Sequence, residues 1–274
     1  MNLQALPEEA LKEILALTEA KKKLDLREKA QEKFMAFAHR GGTEFAPENT
    51  YEAFSAAVET GYKYLETDVH PNADEKLMAF HDPTLDRVTN YKGKIRDFTS
   101  QELKKIRVND KFQIPFLEDL LDSFSQNYFS IDMKSDESVI PLIKLVRKMN
   151  AIDRVCFASF NQQRLDYVRE EFSNKCISSM GPKEIVKTKL CSIFNIKHNV
   201  LPLISSLPIK RYKIELLNKK HVDFLKSLNI KVIAWTINDA NEITRLIDLG
   251  VDGIMTDKIS ALKEILIKKN LWQH

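Results

Sequence analysis

The sequence is poor in cysteine and has no long apolar segment. Its 274 residues include three cysteines, Cys156, Cys176 and Cys191, and none belongs to a C-x-x-C pair. Because an odd number of isolated cysteines does not make a disulfide framework, we expect a reducing compartment, the cytoplasm. No apolar run is long enough to span a bilayer, and the first 30 residues hold neither a continuous apolar stretch nor a small-residue cleavage site. Neither a transmembrane segment nor a secretory signal is therefore predicted.

An excess of charge of either sign is also missing. The chain has 42 Lys and Arg against 39 Asp and Glu, a net charge of +3. This balance is too even to indicate nucleic acid as a partner. Hydrophobic residues make up 43% and charged residues 30%, which is the mixture of an ordinary globular protein. The length matches a single (β/α)8 barrel, which has about 250 residues.

From residue 34 onward, short apolar runs alternate with stretches of helical periodicity. Clear runs are Tyr62–Val69, Tyr128–Met133 and Lys231–Ile237. Strands that alternate with helices of roughly 10–15 residues predict βα units and a parallel sheet. Eight such units in a chain of this length favour a closed TIM (β/α)8 barrel over an open sheet. In residues 181–215 the pattern does not place the fifth and sixth strands.

Two segments stand outside this alternation. Residues 1–33 favour helix and carry a rough leucine stripe, which predicts an N-terminal helical extension that packs on the barrel. A membrane-surface role is the alternative for this extension. Residues 82–115 are polar and without clear period, which predicts a small subdomain inserted after the second βα region, serving as a lid or a substrate-binding excursion. An ornamental loop is the alternative there. The barrel then spans residues 34–274.

Histidines follow two of the predicted strands. His39 ends the first strand and begins the sequence HRGG, and His81 follows the short apolar run Leu77–Phe80. The carboxyl ends of the strands form the active-site face of a βα barrel. Two histidines on that face supply a group that takes a proton and a group that gives one. Arg40, in the same HRGG turn, is a residue type that binds phosphate through two hydrogen bonds. Each motif alone is equally typical of a plain turn.

Carboxylates also lie near strand ends. Glu66 and Asp68 are two residues apart on a strand, so their side chains share one face, and Asp132 and Lys134 share a face by the same alternation. Carboxylates buried together repel each other unless a cation compensates, and oxygen ligands suit Mg²⁺ or Ca²⁺. Lys134 is a point charge suited to a phosphate oxygen. The alternatives are an outward solvated pair at Glu66 and Asp68, and a structural salt bridge at Asp132 and Lys134.

In order along the chain, these residues resemble the glycerophosphodiester phosphodiesterase family. Any one motif is a weak signal, whereas the ordered set covers residues 36 to about 262. The motifs that carry the resemblance are HRGG-x4-PENT (His39 to Thr50), ETDV (Glu66 to Val69), HDPTLDRVT (from His81), FTSQEL (Phe98 to Leu103), IPFLEDLL (Ile114 to Leu121), SIDMK (Ser130 to Lys134), SFN (Ser159 to Asn161), AWTIND (Ala234 to Asp239) and GVDGIMTD (Gly250 to Asp257).

The resemblance implies a TIM barrel with an inserted subdomain that hydrolyses glycerophosphodiesters to glycerol 3-phosphate and an alcohol. It implies that His39 and His81 are the acid–base pair, and that the substrate's own glycerol 2-hydroxyl attacks to give a cyclic phosphate. Three more sets of roles follow from it. The divalent metal ligands are Glu66, Asp68 and Asp132. The phosphate contacts are Arg40 and Lys134. Trp235 forms an aromatic wall of the substrate pocket, and Glu48 lies near the metal site.

One position departs from the family pattern. The family usually has Glu at the third metal position, and this chain has Asp132, whose side chain is one methylene shorter. Metal affinity or preference is expected to differ as a result. Two alternatives stay open: a lysophospholipase D-like enzyme with an apolar channel for an acyl chain, and a barrel that binds phosphodiesters without catalysis.

Overall fold

Parallel strands alternate with helices through most of the chain. The computed structural model describes residues 34–197, 200–211 and 213–272. The helix predicted for residues 1–33 lies outside this range. In chain order the strands are β1 Met35–Ala38, β2 Tyr64–Pro71, β3 Leu77–Ala79, β4 Arg107–Val108, β5 Phe112–Gln113, β6 Tyr128–Met133, β7 Val155–Ala158, β8 Ile177–Ser178, β9 Ile204–Leu207, β10 Lys210–Arg211, β11 Ile214–Glu215, β12 Lys231–Ala234 and β13 Gly253–Thr256.

The helices lie mainly between the barrel strands. In chain order they are α1 Tyr51–Glu59, α2 Ser100–Leu103, α3 Leu117–Ser123, α4 Val139–Lys148, α5 Gln162–Glu171, α6 Pro182–Phe194, α7 Lys219–Ser227, α8 Ala240–Leu249 and α9 Ile259–Lys268. Among the described residues, no helix is long and apolar enough to cross a membrane.

Eight of the strands form one parallel barrel. Their order is β8-β7-β6-β2-β1-β13-β12-β9, and each neighbouring pair is parallel. A parallel bridge between Ser179 and Ile204 joins the two ends of this row. The (β/α)8 barrel predicted from the sequence is therefore confirmed.

The local sequence explains where the helices begin and how they face the core. Thr50 caps α1, its hydroxyl accepting a hydrogen bond from the backbone N–H of Ala53, and Gly61 just beyond its end adopts φ +97°. In α4 the apolar residues recur at spacings of three and four, so they fall on one face. The buried residues of α4 are Val139, Leu142, Ile143 and Val146.

The barrel strands bury both of their faces. In β1, Ala36 and Ala38 belong to the large core between strands and helices. The alternate residues, Met35 and Phe37, belong to a separate cluster with Tyr64, Ile233 and Met255. Because side chains alternate across a strand, this second cluster fills the barrel interior below the carboxyl ends of the strands. The site is thus built on a packed support.

The chain leaves the barrel directly after β2 and returns at α3. We call the intervening segment, residues 72–116, the excursion. β3 pairs antiparallel with the end of β2, because the turn at Asn72 reverses the chain; its side chain accepts hydrogen bonds from the N–H groups of Asp74 and Lys76. The run Leu77–Phe80 therefore contains the second strand of a hairpin with β2, at the edge of the sheet, and it is not a barrel strand. The excursion has its own small core, formed by Met78, Phe80, Leu85, Ile95, Leu103, Ile106, Val108 and Ile114.

The fifth and sixth barrel strands are β8 and β9. β8 has two residues, Ile177 and Ser178. It precedes residues 181–215, the segment in which the sequence analysis expected it. β9 follows the long helix α6 and a connection after it. A two-residue strand has no readable alternation, which explains why the sequence pattern does not reveal it.

Candidate active site

The carboxyl ends of the barrel strands surround a cavity of about 460 Å³. It is lined by the eight residues to which the sequence analysis gave an acid–base, metal, phosphate or substrate-wall role: His39, Arg40, Glu66, Asp68, His81, Asp132, Lys134 and Trp235. The roles assigned to them remain predictions, but the fold brings all eight together.

A tight turn places His39 at the mouth of the barrel. The three residues after it, Arg40, Gly41 and Gly42, all have positive φ, and the N–H of Gly42 donates to the carbonyl of His39 at 2.8 Å. A Cβ at Gly41 would lie 2.8 Å from the backbone nitrogen of Phe54. Glycine is therefore required at that position, both for the backbone conformation and for the close approach of α1.

The His39 ring is held between carboxylates. Its Nδ1 donates to Asp257 Oδ1 at 2.7 Å, while Nε2 lies 3.9 Å from Glu66 Oε2 and 3.5 Å from the Thr236 hydroxyl. Burial lowers the pKa of His39, but the charge of Glu66 and the hydrogen bond to Asp257 outweigh it, so the pKa is raised. Nε2 is the nitrogen left to exchange a proton with a ligand.

His81 has the same arrangement, and it is linked to the excursion. Its Nδ1 donates to Asp82 Oδ1 at 2.6 Å. Arg87 donates to both Asp82 and Glu48, and Glu48 also accepts from Arg40. We call this contact of one arginine with two acidic side chains the Arg87 clamp. It links the His81 segment, through Glu48, to Arg40 in the HRGG turn.

Three carboxylates lie side by side on β2 and β6. Asp68 and Asp132 are directly paired in the parallel register, and Glu66, Asp68 and Asp132 are all buried. Burial raises the pKa of Glu66, and the neighbouring Asp68 adds to that shift. Burial also raises the pKa of Asp132. Burial acts on Asp68 in the same direction, but Lys134 and Arg40 outweigh it and lower its pKa.

Cationic side chains compensate this negative charge. Lys134 Nζ lies 2.7 Å from both Asp68 Oδ1 and Asp132 Oδ2. Arg40 Nε lies 3.1 Å from Asp68 Oδ2 at ion-pair distance, but among the described residues it has no hydrogen-bond partner. The salt bridge between Asp132 and Lys134, weighed as an alternative from sequence, is therefore present. In this arrangement the two predicted phosphate contacts bind protein carboxylates.

The carboxylate set matches the chemistry of a hard divalent cation. Asp132 Oδ1 is buried and, within the described part of the chain, has no hydrogen-bond partner. Oxygen donors of this kind are the ligands of Mg²⁺ and Ca²⁺. Residues 34–197, 200–211 and 213–272 contain no group of three or more His, Cys, Asp or Glu side chains already arranged to hold a metal. The Lys134 ammonium lies 2.7 Å from both Asp68 and Asp132, and the donor types of the three carboxylates fit the ion.

The opposite wall of the cavity is apolar. Trp235 packs edge-on against Phe160, with ring centroids 5.6 Å apart. Lys134 and Arg211 lie over the Phe160 ring at 5.6 and 5.8 Å. The wall continues through Met180, Ile185, Val186 and Ile214. A ligand in this cavity meets charge on one side and hydrocarbon on the other.

Four residues of the site received no role in the sequence analysis, although they lie within the motifs that carry the resemblance. Asp257, Asp82 and Arg87 orient or connect the two histidines, and Phe160 forms part of the aromatic wall. Asp257 directly follows β13 and Asp82 directly follows His81, so a polar residue at a strand end was the available signal. Arg87 lies inside the excursion, where no periodicity indicates which side chains face the cavity.

Comparisons with known proteins agree with this fold. The profile of the Glycerophosphoryl diester phosphodiesterase family matches residues 39–261. A glycerophosphodiester phosphodiesterase of Caldanaerobacter subterraneus is 30% identical over 251 residues, covering 86% of this chain and 99% of that protein. A lysophospholipase D of Homo sapiens is 25% identical, covering 88% and 89%. A phosphodiesterase of Oleispira antarctica, solved with its product sn-glycerol-3-phosphate, superposes with a TM-score of 0.73 at 21% identity, covering 87% and 99%.

Proposed function

The chain belongs to the glycerophosphoryl diester phosphodiesterase family, and from that premise we propose that it hydrolyses glycerophosphodiesters to glycerol 3-phosphate and an alcohol. The chain is an enzyme of the phosphoric diester hydrolase class. The observation that carries the proposed reaction is the pair His39 and His81 on one cavity, each with a carboxylate on Nδ1. Such a pair suits a reaction in which one group gains a proton while another loses one.

In the proposed mechanism, the two Nε2 atoms exchange protons with the substrate. One histidine removes the proton of the attacking glycerol 2-hydroxyl, and the other protonates the oxygen of the leaving alcohol, which leaves a cyclic phosphate. Water then opens this ring to give glycerol 3-phosphate, with the proton-accepting and proton-donating roles of the two histidines exchanged. Arg40 and Lys134 stabilise the negative phosphoryl oxygens. Asp257 and Asp82 keep each ring in the tautomer with Nε2 free and stabilise the imidazolium that forms.

We further propose that Glu66, Asp68 and Asp132 hold a divalent cation, Mg²⁺ or Ca²⁺. The buried Asp132 Oδ1, which has no hydrogen-bond partner within the described residues, and the raised pKa of Glu66 support it, since a divalent cation would bind the first oxygen and compensate the charge of the second carboxylate. Lys134 leaves its position between Asp68 and Asp132 and turns toward the phosphate. When bound, such a cation neutralises charge on a phosphoryl oxygen.

Replacing either histidine tests the acid–base assignment. We expect His39→Ala and His81→Ala each to lower kcat by at least ~10²-fold, the usual scale for losing general acid–base help. The matched control is His221→Gln, because His221 is buried outside the cavity and its Nδ1 donates to the carbonyl of Leu216. Near-normal turnover by a folded, metal-loaded His39→Ala or His81→Ala protein would contradict the assignment.

The reaction class and the cation are tested together. Hydrolysis of glycerophosphocholine and glycerophosphoethanolamine is followed as release of glycerol 3-phosphate, with Mg²⁺, with Ca²⁺ and with EDTA. We expect turnover with a divalent cation and its loss with EDTA. Turnover that EDTA leaves intact would refute the metal proposal alone. No turnover of any phosphodiester by the folded protein would favour a barrel that binds without catalysis.

A second substrate class is favoured by the apolar wall of the cavity. Phe160, Ile185, Val186 and Ile214 would contact an acyl chain placed beside the phosphodiester. Turnover of lysophosphatidylcholine, compared with that of glycerophosphocholine, separates the two substrate classes. A higher kcat/KM for the lysophospholipid would assign the wall to the acyl chain.

A further inference from the structure

The helix α6, Pro182–Phe194, has its apolar face on the outside. Its buried residues are Thr188 and Ser192. Four large apolar side chains on it are 50–71% exposed: Val186, Leu190, Ile193 and Phe194. Their spacings of four, three and one place them in one stripe along the helix. A helix of a water-soluble domain normally buries such a stripe, so this one is suited to contact another apolar medium.

The stripe begins at the cavity. Val186 lines the cavity and is exposed, and so is Ile214 on the β10–β11 hairpin. The apolar wall of the site therefore continues onto the outer surface. We call Val186, Leu190, Ile193, Phe194 and Ile214 the docking face.

The chain segment that carries this face is rich in basic residues. Residues 182–220 contain nine Lys and Arg against two Glu, a net charge of +7, whereas the whole chain carries +3. Helical spacing places Lys183 and Lys187 along one side of the stripe and Lys189 along the other. One of the two acidic residues, Glu184, is turned inward, where it accepts hydrogen bonds from Arg169 and from the N–H of Gly181.

We propose that the docking face binds the surface of an anionic phospholipid bilayer. The apolar side chains enter the boundary between headgroups and acyl chains, and the flanking lysines approach the lipid phosphates. The mouth of the cavity then faces the lipid, which contains phosphodiesters that carry apolar chains.

Charge distinguishes this occupant from others. A second copy of the chain would bring the same basic segment against itself. Residues 1–33 contain seven basic and seven acidic residues, so they have no net negative charge to complement the lysines. An anionic lipid surface matches both the hydrocarbon stripe and its basic border.

Vesicle binding by the full chain tests the proposal without requiring turnover. We expect the protein to float with vesicles of phosphatidylcholine and phosphatidylglycerol, to bind pure phosphatidylcholine more weakly, and to lose affinity at high salt. The double variant Leu190→Ser/Phe194→Ser should lower the partition coefficient at least ~10-fold, because two exposed side chains no longer enter the lipid. The control is Ile140→Ser/Ile267→Ser, which removes side chains of similar exposure, 50% and 49%, from other helices.

Three outcomes would overturn the proposal. They are no binding of the unsubstituted chain to anionic vesicles, an equal loss in the control variant, and a dimer in analytical ultracentrifugation that Leu190→Ser/Phe194→Ser dissociates. Lys183→Gln/Lys187→Gln provides a second variant, in which the apolar residues of the docking face are intact. We expect it to weaken only binding to anionic vesicles. Circular dichroism checks the fold of each variant. Since Leu190 and Phe194 do not line the cavity, failed docking and failed hydrolysis are distinguishable.

Discussion

At the scale of single residues, the two histidines of the cavity are oriented from behind by acidic side chains. Asp257 accepts the Nδ1–H of His39 through Oδ1, and its Oδ2 accepts from the side-chain amide of Asn238 at 2.8 Å. Both oxygens of Asp257 are therefore acceptors. An amide at this position supplies only one acceptor, so one of the two donors would lose its partner.

Asp257→Asn should accordingly reduce turnover without unfolding the barrel. We expect kcat to fall by about 10²–10⁴-fold, because an amide N–H facing Nδ1 favours the tautomer that has its proton on Nε2. The measurement is steady-state hydrolysis of glycerophosphocholine, with thermal unfolding as the check on folding. Asp248→Asn is the control, since Asp248 is an exposed acidic residue paired with Lys269. An unchanged kcat in folded Asp257→Asn would show that Asp257 does not position His39.

A second residue-scale prediction concerns His221 and acid stability. Burial lowers the pKa of His221 from 6.5 to about 4. The unfolded chain therefore binds a proton that the folded chain does not between those pH values, so stability is lost as pH falls from 6.5 toward 4. The loss attributable to this group is roughly 3 kcal/mol. Urea unfolding at pH 7 and pH 4.5 should show a smaller loss for His221→Gln than for the unsubstituted chain, and an equal loss would refute the assignment.

The sequence identifies the residues of the cavity better than the contacts among them. Glu66, Asp68 and Asp132 are predictable because strand alternation fixes which side chains share a face. The contact of His39 with Asp257 joins residues 218 positions apart, and only barrel closure brings them together. The position of Lys134 between two carboxylates depends on side-chain rotamers, which no spacing in the sequence determines.

At the scale of elements, the excursion after β2 is fastened to the site by the Arg87 clamp. Arg87 is about half exposed, so its ion pairs add little to global stability. Its contacts matter for position, because Asp82 orients His81 and Glu48 contacts Arg40. A residue of this kind affects catalysis through its neighbours.

Arg87→Gln should therefore lower turnover while leaving the unfolding temperature nearly unchanged. We expect kcat to fall about 10-fold, since the loss of orientation at His81 removes part of the acid–base contribution. Arg96→Gln is the control within the same excursion, because Arg96 is exposed and pairs with Glu137 instead of with Asp82 or Glu48. A drop of similar size in Arg96→Gln would show that the excursion as a whole, and not the clamp, carries the effect.

Elements with strong periodicity are predictable here, and those shaped by tertiary contacts are not. The apolar run Tyr128–Met133 predicted from the sequence agrees with β6 to the residue. The run Leu77–Phe80 has the composition of a buried barrel strand, yet the chain reverses at Asn72 and the run pairs antiparallel with β2 at the edge of the sheet. β9 has the sequence ISSL, with two serines at its centre, and it lacks the continuous apolar run that marks a buried strand, which is why the sequence does not place it.

At the scale of the whole molecule, two of the three buried carboxylates, Glu66 and Asp132, lower the stability of the folded chain in their charged form. Burial and Asp68 raise the pKa of Glu66 above its value of 4.5. The folded chain then binds more protons than the unfolded chain above pH 4.5, so stability falls as pH rises through the folded pKa. The cost is present at neutral and alkaline pH in the absence of a divalent cation.

Glu66→Gln should therefore stabilise the metal-free protein while weakening its activity. We expect the unfolding temperature at pH 8 in EDTA to rise by a few degrees, given a shift of roughly 2–4 °C per kcal/mol for a chain of this size. Differential scanning calorimetry measures it, with exposed Glu264→Gln as the control. A lower unfolding temperature in Glu66→Gln would show that Glu66 is compensated without a cation.

The first and last barrel strands, β1 and β13, lie side by side, and His39 and Asp257 meet across that junction. During synthesis on the ribosome, 218 residues separate the addition of His39 from the addition of its partner Asp257. No partial translation product has a complete site. Turnover can therefore serve as a reporter of co-translational ring closure, appearing only when β13 has left the exit tunnel and docked beside β1.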